Sequence, residues 1–128
     1  MIKYNKFLKV IFHFINLFLI LFYLYPGSLF GYIIHNDLTK QPQVTDDFFY
    51  ISSNHFYAFG ILSIFGILAY QDKKKYSFLV KYLFLLSIII ELFHHIVPNR
   101  MFQLSDLLGN FLGVLVIYVL YNIKKKYV

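Results

Sequence analysis

The sequence predicts an all-α membrane protein, built as an antiparallel bundle of four transmembrane helices. Hydrophobic residues occupy 59% of the 128 positions and charged residues only 14%, whereas a soluble domain carries roughly a quarter charged residues. Four apolar runs are each long enough to cross a hydrocarbon core about 30 Å thick. The basic residues lie beside these runs, so the net charge of +6 indicates membrane topology and no nucleic-acid partner.

Hydropathy and length set the helices near residues 7–25, 54–71, 77–97 and 104–122. The first helix has a basic start and an apolar middle, as a signal peptide has. The stretch from Leu24 to Gly27 offers no small-residue cleavage site, so an uncleaved helix is expected. No repeat or linker divides the chain, and residues 1–128 are predicted to form one domain.

The basic residues predict the orientation of the bundle. Ten of the twelve lie at or before the start of the first helix, around the gap between the second and third, or after the fourth. Only Lys40 and Arg100 lie in the other two gaps. Lysine and arginine are enriched in cytoplasmic loops, so both termini are predicted to be cytoplasmic and these two gaps to lie outside.

The longest gap, residues 26–53, is predicted to lie on the outer side without crossing the membrane. Pro26, Gly27, Gly31 and Pro42 are expected to break regular structure there. Its first part is apolar enough to rest in the membrane interface, and the aromatic run at residues 48–50 suits an interfacial belt.

Several polar residues interrupt the third and fourth helices. A charged residue in mid-membrane costs about 2.5–3.5 kcal/mol on insertion scales and is retained mainly where it pairs, lines a cavity or takes part in chemistry. Glu91, His94 and His95 have the spacing of one helix face, and Asp106 and Asn110 have the spacing of another. The interrupted region is therefore the predicted functional site.

Helix geometry predicts that these residues meet. A turn near residues 98–102 brings Glu91 level with Asn110, and a turn near Lys74 brings His55 into the same layer. A shared pocket open to the outside is the simplest arrangement. It requires a Glu91 oxygen within hydrogen-bonding reach of a polar neighbour, the candidates being His55, His94, His95, Arg100 and Asn110. A second polar stripe, on the first helix, is predicted to form interhelical hydrogen bonds through His13, Asn16 and Tyr23.

The order E-x-x-(polar), P-x-R and D-x-x-x-N-x-x-G resembles the VanZ-like family of bacterial membrane proteins. The family's Arg, Asp and Asn are matched by Arg100, Asp106 and Asn110, whereas His94 stands where the family usually has Gln. The family also tends to have D-K-x-x-H at the start of the second helix. Of that motif only His55 remains here.

The resemblance implies a bacterial cytoplasmic membrane protein, with one founding member linked to teicoplanin tolerance and no established reaction. Ile51 and Ser52 replace the acidic and basic residues of the D-K-x-x-H motif. A shared substrate therefore does not follow from the resemblance.

Plainer interpretations remain for several of these residues. Asp106 has the position of a helix-start carboxylate, and Ser105 that of an N-cap. Arg100 has the position of a residue that binds lipid phosphate non-specifically. Gly109 and Gly113 form the G-x-x-x-G pattern that commonly packs helices together.

No metal or cofactor is predicted. Glu91 and His94 form one E-x-x-H motif, but a di-iron site needs two such motifs and two further glutamates, and the chain has a single Glu. A zinc site built from His55, His94 and either Asp106 or Glu91 has suitable ligand chemistry. It lacks a recognised spacing.

Two functions from different classes follow. In the first, the outer pocket binds a cell-envelope lipid, a lipid-linked precursor or a lipophilic glycopeptide. In the alternative, the protein is a membrane-embedded enzyme acting on such a lipid, with Glu91, His94 or His55 as acid or base. The chain lacks a nucleophile motif and a cofactor fingerprint, so the sequence favours binding. It leaves the oligomeric state open.

Overall fold

The computed structural model describes residues 2–128, with side chains from Asn5 onward. Within that range no strand is present, and the predicted all-α class is confirmed. A short 3-10 turn, Phe93–His95, follows the fourth of five α-helices. The helices are α1 (Ile2–Leu24), α2 (Leu29–His35), α3 (Ser53–Ala69), α4 (Lys73–Leu92) and α5 (Leu104–Tyr127).

Three of the helices in the described chain, α1, α4 and α5, are long and apolar enough to cross a membrane. The apolar helix α3 is shorter, with 17 residues. Much of the apolar surface of α1 is left uncovered by the other helices, as at Phe14 and Phe18, which are 58% and 55% exposed. An apolar surface of this kind suits a hydrocarbon environment.

Helix α4 differs most from its predicted bounds. It begins at Lys73, before the predicted residue 77, because the Asp72 carboxylate accepts hydrogen bonds from the backbone N–H groups of Lys74 (3.2 Å) and Lys75 (3.4 Å). This N-cap satisfies donors that the first helical turn leaves unpaired. At the other end the α-helix stops at Leu92, before the predicted residue 97, and the chain tightens into the 3-10 turn.

The segment predicted as an irregular loop contains α2, with Gly31 inside the helix rather than breaking it. Ser28 caps this helix by accepting a 3.0 Å hydrogen bond from the Gly31 N–H. A Cβ at Gly31 would overlap the Lys40 carbonyl group and lie 2.6 Å from the Asp37 carbonyl oxygen. Gly31 thus permits a close backbone approach within the segment, and its missing side chain does not mark a helix end.

Helix α3 occupies the middle of the bundle and packs most extensively against α5 and α1. Gly109 and Gly113 of α5 make this approach close. A Cβ at Gly109 would lie 2.6 Å from the Ser52 carbonyl oxygen, and one at Gly113 would lie 2.6 Å from the Phe56 carbonyl oxygen. The G-x-x-x-G pattern therefore packs helices. The buried apolar core around it includes Phe59, Leu62, Leu83, Ile90 and Val114.

We expect Gly113→Ala to lower the free energy of unfolding by about 1–3 kcal/mol, the usual cost of overpacking a tight contact. The new methyl group would meet backbone atoms of α3, which cannot move aside as a side chain can. Gly60→Ala is the matched control, because a Cβ there meets no described atom within 4 Å beyond the adjoining backbone of its own helix. Equal unfolding midpoints for the two variants in detergent would contradict this account of the packing.

Candidate functional site

Six polar residues from four helices and the 3-10 turn meet at one end of the bundle. We call them the polar cluster. Five of the six were predicted as site residues, whereas Tyr23 was expected only to form interhelical hydrogen bonds. The cluster consists of Tyr23, His55, Glu91, His94, Asp106 and Asn110.

Glu91 is the most deeply buried charged residue of the cluster, with 0% of its surface exposed. Its Oε1 atom lies 3.0 Å from His94 Nδ1 and accepts a 3.1 Å hydrogen bond from the Gln103 backbone N–H. The predicted hydrogen bond between Glu91 and a polar neighbour is thereby confirmed. Its second oxygen, Oε2, is buried and has no hydrogen-bond partner among the described residues.

His94 links Glu91 to the end of α1. Its Nε2 atom lies 2.9 Å from the Tyr23 carbonyl oxygen, and a carbonyl can only accept, so Nε2 carries a hydrogen. The contact between Nδ1 and Glu91 needs one further proton, held either by the imidazole or by the carboxyl group. In both arrangements the pair has no net charge, which explains how a carboxyl group is tolerated in so dry a place.

Asn110 fixes the orientation of His55. The Asn110 Nδ2 atom donates to the Ser87 carbonyl oxygen at 3.2 Å. The Oδ1 atom is therefore the acceptor, and the Tyr23 hydroxyl donates to it at 3.0 Å. Oδ1 lies 3.0 Å from His55 Nδ1, so Nδ1 carries the hydrogen. The other ring nitrogen, Nε2, faces Asp106 Oδ2 at 3.6 Å.

The hairpin of α4 and α5 is offset from the predicted register. Asn110 bonds to the carbonyl of Ser87, about one turn before Glu91, and Glu91 bonds to Gln103. The offset arises because the chain leaves the α-helix at Leu92, so the connection is longer than the tight turn assumed from the sequence. The polar residues still meet, because His55 and Tyr23 approach Asn110 from other helices.

His95 does not join the cluster, contrary to its predicted place beside Glu91. It is exposed, and its ring stacks on Phe102 with the centroids 4.9 Å apart. A 3-10 turn has three residues per turn, so the residue three positions after Glu91 lies above it and the next is rotated away. The local change of helix type thus selects His94 over His95.

Arg100 holds the end of α1. Its Nη2 atom donates to the Phe22 carbonyl oxygen at 2.7 Å and its Nε atom to the Tyr25 carbonyl oxygen at 3.1 Å. Carbonyls at a helix C-terminus lack partners within the helix and attract positive charge. Partial burial lowers the pKa of the guanidinium from its ordinary value, and the nearby carboxylates of Glu91 and Asp106 oppose this shift. The group stays charged.

A cavity of about 510 Å³ adjoins the cluster, between the end of α1, α2 and the start of α3. Its polar wall includes His55, Arg100 and Asn54, and most of the remaining wall is apolar. The sequence did not predict α2 or its part in this wall. The apolar residues lining the cavity include Phe22, Leu29, Phe30, Ile34, Ala58 and Ile61.

The polar stripe of α1 forms the interhelical hydrogen bonds predicted for it. His13 Nε2 lies 2.8 Å from the Tyr70 hydroxyl, and the Tyr82 hydroxyl donates to Asn16 Oδ1 at 2.8 Å. Tyr23 extends the stripe into the polar cluster through Asn110. A polar group near the C-terminal end of an apolar helix was the sequence signal for that role.

The fold and the site define a small all-helical protein with membrane-compatible helices and a buried cluster of carboxyl, imidazole and amide groups at one end of its bundle. The chain belongs to the VanZ/LLP1 family, whose model matches residues 2–125. No curated protein and no solved structure gives a significant match.

Proposed function

We propose that the chain crosses a bacterial cytoplasmic membrane four times, with both termini inside and the polar cluster near the outer surface. At 1.5 Å per residue the 17-residue α3 is about 25 Å long, at the short end of the range for a spanning helix. The lysines of α4 and of the end of α5 lie at the opposite end of the bundle from the cluster. That distribution supports an inside location for the lysine-rich end.

Single cysteines at Lys74, Gln41 and Asn99 test this topology in the cysteine-free chain. We expect an impermeant maleimide to label the Gln41 and Asn99 sites in intact cells and the Lys74 site only after lysis. Labelling of the Lys74 site in intact cells, together with protection of the Gln41 site, would contradict the proposed orientation.

The function we propose for the cavity is the binding of one amphiphilic envelope molecule. The candidates are a membrane lipid, a lipid-linked precursor and a lipophilic glycopeptide, and binding of one of these would alter glycopeptide tolerance. The observation that carries the proposal is the composition of the cavity wall, whose surface is mainly apolar, with polar groups from His55, Asn54 and Arg100 and also from Ser28, Gln41 and Gln43. Sites for small molecules commonly combine an apolar wall with a few orienting polar groups.

A substitution in the cavity wall tests this function without disturbing the polar cluster. Ile61 lines the cavity and is 49% exposed, whereas Ile64 of the same helix does not line it and is 41% exposed. We expect Ile61→Trp to fill part of the cavity and lower the amount of lipid that co-purifies, measured by mass spectrometry. Ile64→Trp is the matched control and should keep the wild-type lipid. The same lipid content in both variants would reject the cavity as the binding site.

Acid–base catalysis on the bound lipid is the second candidate function. It is favoured by His55, which lines the cavity and directs Nε2 toward Asp106 rather than into a hydrogen bond. Purified protein incubated with its co-purified lipid should then yield a lipid of changed mass, and His55→Gln should abolish the change. An unchanged lipid in the wild-type sample would leave binding alone as the function.

A further inference from the structure

Three side chains of the polar cluster are of metal-ligand types and lie close enough together to hold one ion. One ligand atom from each of His55, Glu91 and Asp106 lies within 4.8 Å of the others. The three residues come from α3, α4 and α5, so the fold assembles the group from distant parts of the chain. Nitrogen and carboxylate oxygen are ligands that divalent transition metals accept.

The buried oxygen of Glu91 is the first independent indication of a ligand. Oε1 is occupied by His94 and the Gln103 backbone, but Oε2 has no partner among the residues described. A buried carboxylate oxygen without a partner is costly in a site that excludes water. A cation bound at Oε2 would remove that cost.

The orientation of His55 is the second indication. Its Nδ1–H is held by Asn110, so the lone pair of a neutral ring lies on Nε2 and points toward Asp106. A metal-binding histidine typically donates its other ring N–H to an oxygen in this way. The distance of 3.6 Å from Nε2 to Asp106 Oδ2 is long for a charge-assisted hydrogen bond, at about 2.7–2.9 Å. It is close to the roughly 3.3 Å between two ligands of a tetrahedral zinc ion.

The charges of the cluster also favour a cation. The Glu91–His94 pair is neutral as a whole, but the Asp106 carboxylate, brought within 4.8 Å of Glu91, has only the neutral His55 ring beside it, and a cation between the two carboxyl groups would compensate its charge. His94 is not available as a ligand for such a cation, because both of its ring nitrogens already have partners.

We propose that His55, Glu91 and Asp106 bind one divalent transition-metal cation, with Zn²⁺ the best-matched ion. This reverses the expectation of no metal that the sequence supported. It also replaces the candidate ligand His94 with a positioning role, in which the residue holds the Glu91 carboxylate. Three protein ligands leave at least one coordination position for water or an anion. His55 lines the cavity, so a ligand there could reach that position, but metal binding itself does not rest on the proposed function.

The test uses the full chain in detergent, with any affinity tag removed and bound metal stripped by a chelator. Zn²⁺ alone is then added, and the metal retained after desalting is measured by mass spectrometry alongside the unfolding temperature. We expect about one Zn²⁺ per chain and a raised unfolding temperature. His55→Gln and Asp106→Asn should each lower the Zn²⁺ affinity by more than the roughly 10 to 100-fold loss seen when an outer-shell partner is removed.

Exposed residues of the same types serve as controls. His35→Gln, His95→Gln and Asp46→Asn remove exposed groups outside the cluster and should keep wild-type Zn²⁺ binding. Visible absorption of the Co²⁺-loaded wild type gives a readout that needs no variant, because a four-coordinate ion with N and O ligands has stronger bands than the hydrated ion.

Two results would overturn the proposal. The first is wild-type protein that retains no more Zn²⁺ than the His55→Gln/Asp106→Asn double variant and shows only hydrated Co²⁺ bands, as expected if a proton alone joins the carboxyl groups. The second is Zn²⁺ binding that is lost in His35→Gln or His95→Gln and kept in His55→Gln, which would show adventitious binding at the surface.

Discussion

Replacement of His94 by Ala is expected to lower the free energy of unfolding by about 3–5 kcal/mol, the usual cost of removing one partner of a buried ion pair. The substitution removes the proton that Glu91 Oε1 shares and leaves the Tyr23 carbonyl oxygen without its 2.9 Å contact. Both groups then remain in a layer where Glu91 is 0% exposed. Unfolding in mixed detergent, followed by circular dichroism, measures the loss.

The adjacent histidine supplies the control for this prediction. His95→Ala removes an exposed ring stacked on Phe102 and should change the stability by about 0.5 kcal/mol or less. Adding Glu91→Gln to His94→Ala should recover part of the loss, because the carboxyl group left without a partner is then gone. Similar small effects at His94 and His95, with no coupling to Glu91, would contradict the neutral pair.

Arg100→Ala is expected to cost about 2–3 kcal/mol, since hydrogen bonds to charged groups contribute about 1.5–3 kcal/mol. The guanidinium holds two carbonyl oxygens at the end of α1, those of Phe22 and Tyr25. Arg100→Lys should not restore the stability, because a single ammonium group lacks the fork that reaches both acceptors. The unfolding midpoints of the three proteins in detergent give the comparison.

Lys40→Gln is the matched control for Arg100, because Lys40 is a basic residue in a connection at the same end of the bundle and is exposed. Its unfolding midpoint should equal that of the wild type. If Arg100→Ala has the same unfolding midpoint as the wild type but loses co-purified lipid, the helix-capping role would be rejected and Arg100 would serve lipid binding alone. Stability must therefore be measured before any loss of function at Arg100 is interpreted.

The apolar helices and the composition of the site could be predicted because they depend on local properties. Helices α3 and α5 begin within one residue of the bounds expected from hydropathy, since long apolar runs must satisfy their backbone groups internally. The cost of placing Glu91, Asp106 and Asn110 among apolar residues marked them as a site. Neither inference needs knowledge of which helices are neighbours.

The sequence analysis did not predict the early start of α4 or the helix within residues 26–53. Asp72 begins α4 early by capping it, although the following lysines lower the mean hydropathy on which the predicted boundary rested. Gly31 was expected to interrupt regular structure, yet it lies inside α2 and permits close contact with the Lys40 backbone. One residue type serves both purposes, because a missing side chain gives both conformational freedom and space.

The amino-acid sequence by itself determined an all-helical, membrane-compatible chain and the residues that would be costly to leave unpaired. Only the tertiary structure decided their partners. The 3-10 turn brought His94 to Glu91 and left His95 exposed, Arg100 reached the end of α1, and Asn110 turned His55 Nε2 toward Asp106. Periodicity describes one helix at a time, whereas these contacts depend on the register between helices and on hydrogen-bond directions that a shift of a few ångströms changes.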